Sequence, residues 1–289
     1  MKWAGRGCVL LNPYWSDPLN RMPRRSSHRA PILSVLLLGA GLLAPEFVRS
    51  QDIADAYRDD ANRLIDAALA NHDAYARLGE LVDLFGHRVS GSVALEQAID
   101  WIMEQMESDG LDNVRGDMVM VPHWVRGEES LEMTLPRPRS LPMLGLGGSI
   151  ATPVGGIRAE VLVVSSFDEL ERRADEAQGK IVLFDVPFTN YGATVQYRSQ
   201  GAIAAARAGA AASIIRSVTP YSQQTPHTGN MEYADGVRRI PHAAITVEDA
   251  EWIQRMSDRG ERVEVHLQMN ARTLPDVPSR NVVAEIIGS

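Results

Sequence analysis

Apolar residues recur at helical spacing from Ile53 to Phe85, in two successive groups. Positions three and four apart lie on one side of a helix, so this pattern predicts two helices, the second ending at Gly86. A third predicted helix follows and runs to about Ser108, and either Ser90 or Ser92 can cap its first turn. The segment from Ile53 to about Ser108 is therefore predicted to be mainly helical.

One strand is predicted on each side of the middle of the chain. Val114–Val121 is bounded by Pro122, whereas Asn281–Ile287 is almost continuously apolar. Runs without a polar face are typical of strands that are covered on both sides, as in a parallel sheet. We therefore expect Asn281–Ile287 to be a buried strand, joined to the middle of the chain by a stiff linker that contains Pro275 and Pro278.

The middle of the chain, residues 126–275, alternates short apolar strands with helical stretches. Strands are predicted at Glu160–Val164, Lys180–Val186, Ala212–Ser217, Ala243–Thr246 and Arg262–Met269. Helices are predicted at Phe167–Ala177, Val195–Ala208 and Val247–Asp258. This set can bury a core of its own, so residues 126–275 are expected to form a small α/β domain inserted between residues 51–125 and 276–289.

Residues 1–50 have the pattern of a leader with a secretory signal. Arginines precede the apolar run Ile32–Ala44, which has thirteen residues. A transmembrane helix needs about 20 apolar residues, so the run is too short for a stable span and indicates export, with cleavage after Ser50. We expect translation to start at Met22, which would leave the single cysteine, Cys8, outside the protein. The expected location is the periplasm or the extracellular space.

The charge balance narrows the classes of partner. The whole chain has a formal net charge of -8, and the part after residue 50 carries 22 basic against 35 acidic residues, or -13. An acidic body without a basic stripe argues against nucleic acid as a partner. The length of 289 residues allows about two domains.

Few residues form a pattern with catalytic chemistry. A zinc site without cysteine needs three or four His, Asp or Glu ligands, and the seven histidines include no His-Glu-x-x-His or His-x-Asp pair. The adjacent Glu128 and Glu129 are interpreted as a solvated turn. His227, in the polar loop Ser222–Asn230, is the candidate substrate-side residue, because such loops on a rigid α/β scaffold often contact ligands. No residue is assigned as catalytic or as a metal ligand.

Several motifs, taken in order, resemble a known family. Phe85–Ser92 (FGHRVSGS), followed by a helix and Gly110–Val114, resembles the start of a zinc-dependent exopeptidase domain. More specific motifs resemble the carboxypeptidase Q (plasma glutamate carboxypeptidase) family: Val121–Ser130, Leu144–Ser149, Val195–Gly201, Ile215–Tyr221, Thr225–Gly229 and Ile245–Ala250. The resemblance extends from about residue 75 to residue 289. It implies an α/β zinc-exopeptidase domain, incomplete in this sequence, that is interrupted by a small α/β protease-associated domain.

The resemblance also implies an activity and its cofactor. Members of this family are exported exopeptidases that hydrolyse small peptides, often as homodimers, and two zinc ions activate the attacking water. The first ligand pair of the family follows the strand that matches Asn281–Ile287. On this basis every metal ligand and the general base are expected after Ser289, so the chain alone is expected to be inactive and to bind no zinc.

Three interpretations stay open at this point. In the first, the sequence is the amino-terminal part of a carboxypeptidase Q-like peptidase. In the second, it is a stand-alone protease-associated domain that acts as a protein or peptide interaction module. In the third, it is an enzyme that uses its own residues, such as His227, Glu232 and Asp235. Isolated polar residues without mutual spacing rarely form a site, which favours the first interpretation.

Overall fold

The computed structural model describes residues 50–288, so the predicted signal segment, the start at Met22 and Cys8 lie outside the described residues. The chain divides into two compact units, Met1–Ala70 and Asn71–Ser289. Within the described residues the helices are α1 (Ser50–Ala56), α2 (Arg58–Ala70), α3 (Asp73–Phe85), α4 (Val93–Ser108), α5 (Phe167–Arg172), α6 (Ala174–Ala177), α7 (Tyr191–Arg207) and α8 (Val247–Asp258). None of these helices has the length and apolarity needed to cross a membrane.

The strands that the structure describes all lie in the second unit. They are β1 (Asp112–Val125), β2 (Glu129–Leu135), β3 (Arg139–Leu141), β4 (Met143–Gly145), β5 (Ile157–Val164), β6 (Ile181–Phe184), β7 (Ala212–Arg216), β8 (His242–Ile245), β9 (Glu264–Met269) and β10 (Arg272–Glu285). The mixed α/β class expected from the sequence is confirmed.

The first unit contributes α1 and α2 to the described residues. Leu64, Ile65 and Leu69 of α2 were predicted from their spacing to form an apolar face, and the helix is present as expected. In the structure all three side chains are more than half exposed.

In the second unit, α4 packs against a ribbon formed by β1 and β10. Its first turn is capped as predicted, since the Ser92 hydroxyl accepts a hydrogen bond from the Leu95 amide at 3.2 Å. Ala98 and Ile99 are its buried residues. Arg280 of β10 lies 2.8 Å from Asp100 of the same helix, so polar contacts at the edge accompany the apolar ones.

The ribbon differs from the sequence prediction in two respects. Asn281–Ile287 was expected to be a buried strand of a parallel sheet, but residues 281–285 belong to β10, which pairs antiparallel with β1 in a two-stranded sheet. Ile286 and Ile287 are 85% and 67% exposed. Pro275 and Pro278, expected in a linker, lie inside β10. Proline is tolerated there because a two-stranded ribbon leaves one edge of each strand without a ladder partner.

The residues between these two strands build an eight-stranded sheet in the order β3-β2-β9-β5-β6-β7-β8-β4. Strands β5, β6, β7 and β8 run parallel to one another, and β5 and β8 pair antiparallel with β9 and β4 on their outer sides. The sequence predicted β5 to β9 but missed β2, β3 and β4. Pro136, Pro138 and Pro142 gave that stretch the appearance of a loop, yet they lie between the short strands or at their ends.

Both faces of this sheet are covered, which explains the continuous apolar runs. Alternate residues of β6 enter different cores: Ile181 and Leu183 pack on the side of α8, whereas Val182 and Phe184 pack on the side of α5 and α7. A strand that is buried on both faces has no polar side to alternate with. The sheet therefore holds two apolar cores, one on each face.

Two buried polar groups interrupt these cores near the ends of the parallel strands. Arg216 at the end of β7 contacts Asp185 at 3.2 Å, and both side chains are less than a tenth exposed. His242 of β8 is fully buried, and its Nδ1 lies 2.7 Å from the Ser213 hydroxyl. Burial lowers the pKa of His242 to about 4, so the imidazole is neutral at pH 7.

The close packing of α7 on β8 gives a stability prediction. A Cβ atom added at Gly201 would lie 3.1 Å from the His242 ring and 3.2 Å from the Phe184 ring, both of them buried. Gly201→Ala is expected to destabilise the fold by about 1 kcal/mol net, because the overpacking cost exceeds the gain in helix propensity. Urea unfolding measures the change in free energy.

Gly192→Ala in the same helix is the matched control. Its added Cβ would meet only the Asn190 side chain, at an ordinary 3.5 Å. We expect this variant to be neutral or slightly more stable than the wild type. If both variants changed stability equally, contact with His242 would not be the reason for glycine at position 201.

Candidate functional site

A cleft of about 680 Å³ opens where the ribbon meets the loops of the eight-stranded sheet. One wall comes from the ribbon and the loop before α4, with His123, Trp124 and Thr273 among its residues. The other wall comes from the glycine pair at Gly147–Gly148 and from Thr228–Met231. This volume is within the range of small-molecule and short-peptide sites.

The cleft contains an arginine held by a fixed set of contacts. Arg126 follows β1, and its Nη1 donates to the Gly145 carbonyl at 2.7 Å and lies 3.4 Å from the Glu129 carboxylate. Its guanidinium also lies 5.3 Å from the Trp124 ring centroid, within the range of a cation–π contact. The hydrogen bonds and the tryptophan ring therefore hold the guanidinium of Arg126 in one position.

Glu129 supports this arrangement and corrects the sequence interpretation of residues 128–129 as a solvated turn. Its side chain is only 10% exposed, and its Oε2 accepts a hydrogen bond from the Gly145 amide at 3.0 Å. Burial raises the pKa of Glu129, and the neighbouring Arg126 acts in the opposite direction. Glu128 is exposed as expected. The two neighbours differ in exposure because Glu129 is the first residue of β2 and its side chain contacts Gly145 of β4.

Trp124 anchors the wall of the cleft to the loop that precedes β5. It is 8% exposed, and its indole Nε1 donates to the Ser149 carbonyl at 2.9 Å. Trp124 is paired with Thr273 across the ribbon. The sequence reasoning named neither Arg126 nor Trp124 as a functional candidate, although both lie in the motif Val121–Ser130 that carried part of the resemblance.

His227, the candidate substrate-side residue, lies beside the cleft and is not one of its lining residues. Its side chain is exposed, its amide donates to the Ser217 hydroxyl at 2.7 Å, and its Nδ1 is 3.3 Å from the Val218 carbonyl. The next residues of the same loop, Thr228 and Gly229, do line the cleft. The loop is thus placed as a ligand-contacting loop would be, and the role of His227 itself stays a prediction.

Glu248 holds the start of this loop. Its carboxylate accepts hydrogen bonds from the Ser222 hydroxyl at 2.6 Å and from the Gln223 amide at 2.8 Å. The bond from Ser222 is the largest cause that lowers the pKa of Glu248 to about 2. The end of the loop is held by the Gly147 amide, which donates to the Gly229 carbonyl at 2.8 Å. Both ends of the loop are therefore fixed to the sheet domain.

The described residues do not match the ligand set of a zinc site. Between residues 50 and 288, no group of three or more His, Cys, Asp or Glu side chains is positioned to hold a metal ion. Glu232 and Asp235, considered with His227 as a possible site, are both exposed. No catalytic step through zinc is assigned to these residues.

The sequence of the chain is similar to a known domain and to known proteins. Residues 156–253 match the model of the PA domain. Carboxypeptidase Q of Mus musculus is 53% identical over 242 residues, which cover 83% of this chain and 51% of the mouse protein. Carboxypeptidase Q of Homo sapiens is 53% identical over 234 residues, or 80% of this chain and 50% of the human protein. The chain thus spans about half the length of the curated relatives it matches.

Two solved structures of peptidases are also similar to this chain. A peptidase M28 precursor from Shewanella amazonensis superposes with a TM-score of 0.75 at 34% identity, covering 81% of this chain and 55% of that chain. A zinc aminopeptidase from Bacillus subtilis has a similar fold, with a TM-score of 0.51 at 24% identity, covering 73% of this chain and 46% of that chain. The chain therefore contains a PA domain and is a homologue of carboxypeptidase Q, to which it corresponds over about half of that protein's length.

Proposed function

We propose that this chain is the amino-terminal part of an exported, zinc-dependent exopeptidase of the carboxypeptidase Q type that hydrolyses small peptides. The single observation that carries the proposal is the match to carboxypeptidase Q, at about half of all positions over more than four fifths of this chain. The Shewanella amazonensis neighbour, a peptidase M28 precursor, supports the same reaction class.

The proposed cofactor is zinc, supported by the zinc aminopeptidase of similar fold. We propose that the ligands for two zinc ions belong to sequence that follows residue 289 in the whole protein, since the described residues hold no candidate ligand group. The part described here would then contribute the PA domain, the ribbon and the cleft between them. Export is proposed from the signal-like residues 1–50, and assembly as a homodimer is proposed from the resemblance alone.

One structural observation favours a second candidate function. The eight-stranded sheet has a core on each of its faces, so the PA domain has the packing of a unit that can fold by itself. The chain would then serve as a protein or peptide interaction module, without a reaction of its own. The two candidates differ in what lies downstream in the gene and in whether any form of the protein hydrolyses peptides.

The test compares the 289-residue chain with the protein encoded when the reading frame is followed past codon 289 at the native locus. We expect the longer protein to bind zinc and to release amino acids from dipeptides, and the shorter chain to do neither. Metal analysis and a dipeptide hydrolysis assay measure both. An inactive catalytic-site variant of the longer protein, with one zinc ligand changed, controls for contaminating peptidases.

Two results would count against the proposal. One is a native locus with no zinc-ligand sequence after codon 289, which would favour the interaction module. The other is stoichiometric zinc and dipeptide hydrolysis by the 289-residue chain itself, which would show that its own residues form the site.

A further inference from the structure

We propose that the cleft between the ribbon and the PA domain binds the carboxylate of a short peptide, with Arg126 as its cationic partner. The inference deepens the proposed function, because it takes small peptides as the ligand class from it. The residues that support it lie in one compact unit of the chain.

The charge of the cleft favours an anion. Its lining residues include Arg126 and His123, and none of them is an aspartate or glutamate. Glu129 lies behind Arg126, where one carboxylate oxygen accepts from the Gly145 amide and the other is 3.4 Å from Arg126. Although the chain is acidic overall, no carboxylate of the protein lines this cleft to repel the carboxylate of a ligand.

Arg126 has donors left for a ligand. Both hydrogen bonds recorded for its side chain among the described residues come from Nη1, to Gly145 and Glu129. The other two nitrogens, Nε and Nη2, make no hydrogen bond within the described residues and are not buried, so they are accessible to solvent. A guanidinium held against Trp124 and Gly145 loses little freedom when it binds a carboxylate, and charge-assisted hydrogen bonds of this kind are among the strongest in proteins.

The remaining lining groups suit a peptide and not a bare ion. Uncharged donors and acceptors are contributed by Ser90, Thr228, Asn230 and Thr273. The space over Gly148 is open, because a Cβ built there would meet only the Met231 carbonyl oxygen, at 3.6 Å, among the described residues. A volume of about 680 Å³ is large for acetate and adequate for two residues of peptide.

The test measures binding to the full chain, independently of hydrolysis. The probes are alanylphenylalanine, its carboxamide and acetate, each titrated by calorimetry at pH 7 and low salt. We expect the free acid to bind at least about tenfold more tightly than the carboxamide, since the amide forms no ion pair with Arg126. Acetate is expected to bind more weakly than the dipeptide.

Two variants in the cleft and one control variant outside it locate the binding. Arg126→Gln is expected to remove the preference for the free acid. Arg137→Gln is the matched control, since Arg137 lies at the same 5.3 Å over a tryptophan ring, that of Trp252, but outside the cleft. Thr273→Glu adds a negative charge to the cleft while Arg126 is kept, and it should weaken binding of the free acid about tenfold more than binding of the carboxamide. The Thr273→Glu variant tests whether the carboxylate binds in the cleft even if Arg126→Gln lowers stability.

The outcomes separate the inference from the proposed function. Equal affinity for acid and carboxamide, no binding of either, or acetate as tight as the dipeptide would each overturn the inference. A normal preference in Thr273→Glu would do the same. If the longer protein hydrolysed peptides while the cleft showed no carboxylate preference, the proposed function would stand and this inference would fail. Carboxylate binding without hydrolysis by any form of the protein would give the reverse.

Discussion

Replacing Arg216 by methionine is expected to lower the free energy of unfolding by about 3–5 kcal/mol at pH 7. Arg216 donates to Asp185 at 3.2 Å and to Glu251 at 2.9 Å. Asp185 is buried, so loss of its partner leaves a charge in the interior without compensation. Denaturant unfolding followed by circular dichroism measures the difference.

The pH dependence of this loss distinguishes a stranded charge from a packing defect. Burial already raises the pKa of Asp185, and Arg216 works against that shift. Without Arg216 the pKa rises further, and a carboxyl with a raised folded-state pKa loses stability as pH rises through that pKa. The variant should therefore be destabilised less at pH 5 than at pH 7. An equal loss at both pH values would contradict this explanation.

Two controls accompany the measurement. The double variant Asp185→Asn/Arg216→Met should recover much of the lost stability, because the interior then holds no unpaired charge. Arg115→Met removes two exposed pairs, with Asp117 at 3.2 Å and with Glu285 at 3.4 Å, and should cost less than about 1 kcal/mol.

Acid is expected to destabilise the fold through His242. The pKa of this buried imidazole is about 4 in the folded protein, against about 6.5 in an unfolded chain. Between these values the unfolded state binds more protons, so the contribution is complete above pH 6.5 and declines as pH falls toward 4. The total is about 3 kcal/mol, and unfolding curves at several pH values between 7 and 4 measure the slope.

His242→Asn tests whether this residue is responsible. Asparagine keeps a polar group near the Ser213 hydroxyl, which is 2.7 Å from Nδ1 in the wild type, but it does not titrate. We expect a variant that is less stable at pH 7 and whose stability falls less steeply with acid. A slope equal to that of the wild type would assign the acid sensitivity to other groups.

The sequence predicted the elements whose pattern is set by burial alone. Val161–Val164 of β5 and Ile181–Phe184 of β6 are apolar on both faces because α8 covers one face and α5 and α7 the other, and β5, β6 and β7 were predicted close to their observed bounds. β10 was misjudged by the same rule. Its apolar end resembles a covered strand, yet among the described residues it pairs only with β1. Composition reports the tendency to be buried, not the neighbour that buries it.

The candidate site was harder to predict because its residues are distant in the sequence. Arg126 and Thr228 both contact the Gly145 carbonyl, and nothing in their local spacing indicates that they meet. The loop around His227 was singled out for its polarity, but local pattern could not show that Thr228, Gly229 and Asn230 line the cleft while His227 does not. Glu129 looked solvated beside Glu128, although β2 begins at Glu129 and places its side chain against the Gly145 amide.

The ribbon of β1 and β10 also determines how the fold responds to force. The chain enters the eight-stranded sheet after Val125 and leaves it before Arg272, and these two residues face each other at the inner end of the ribbon. Asp112 and Glu285 face each other at the outer end. A pull that separates the two flanking segments therefore loads the ladder one rung at a time, from the outer end inward. We therefore expect the ribbon to open at lower force than the eight-stranded sheet behind it.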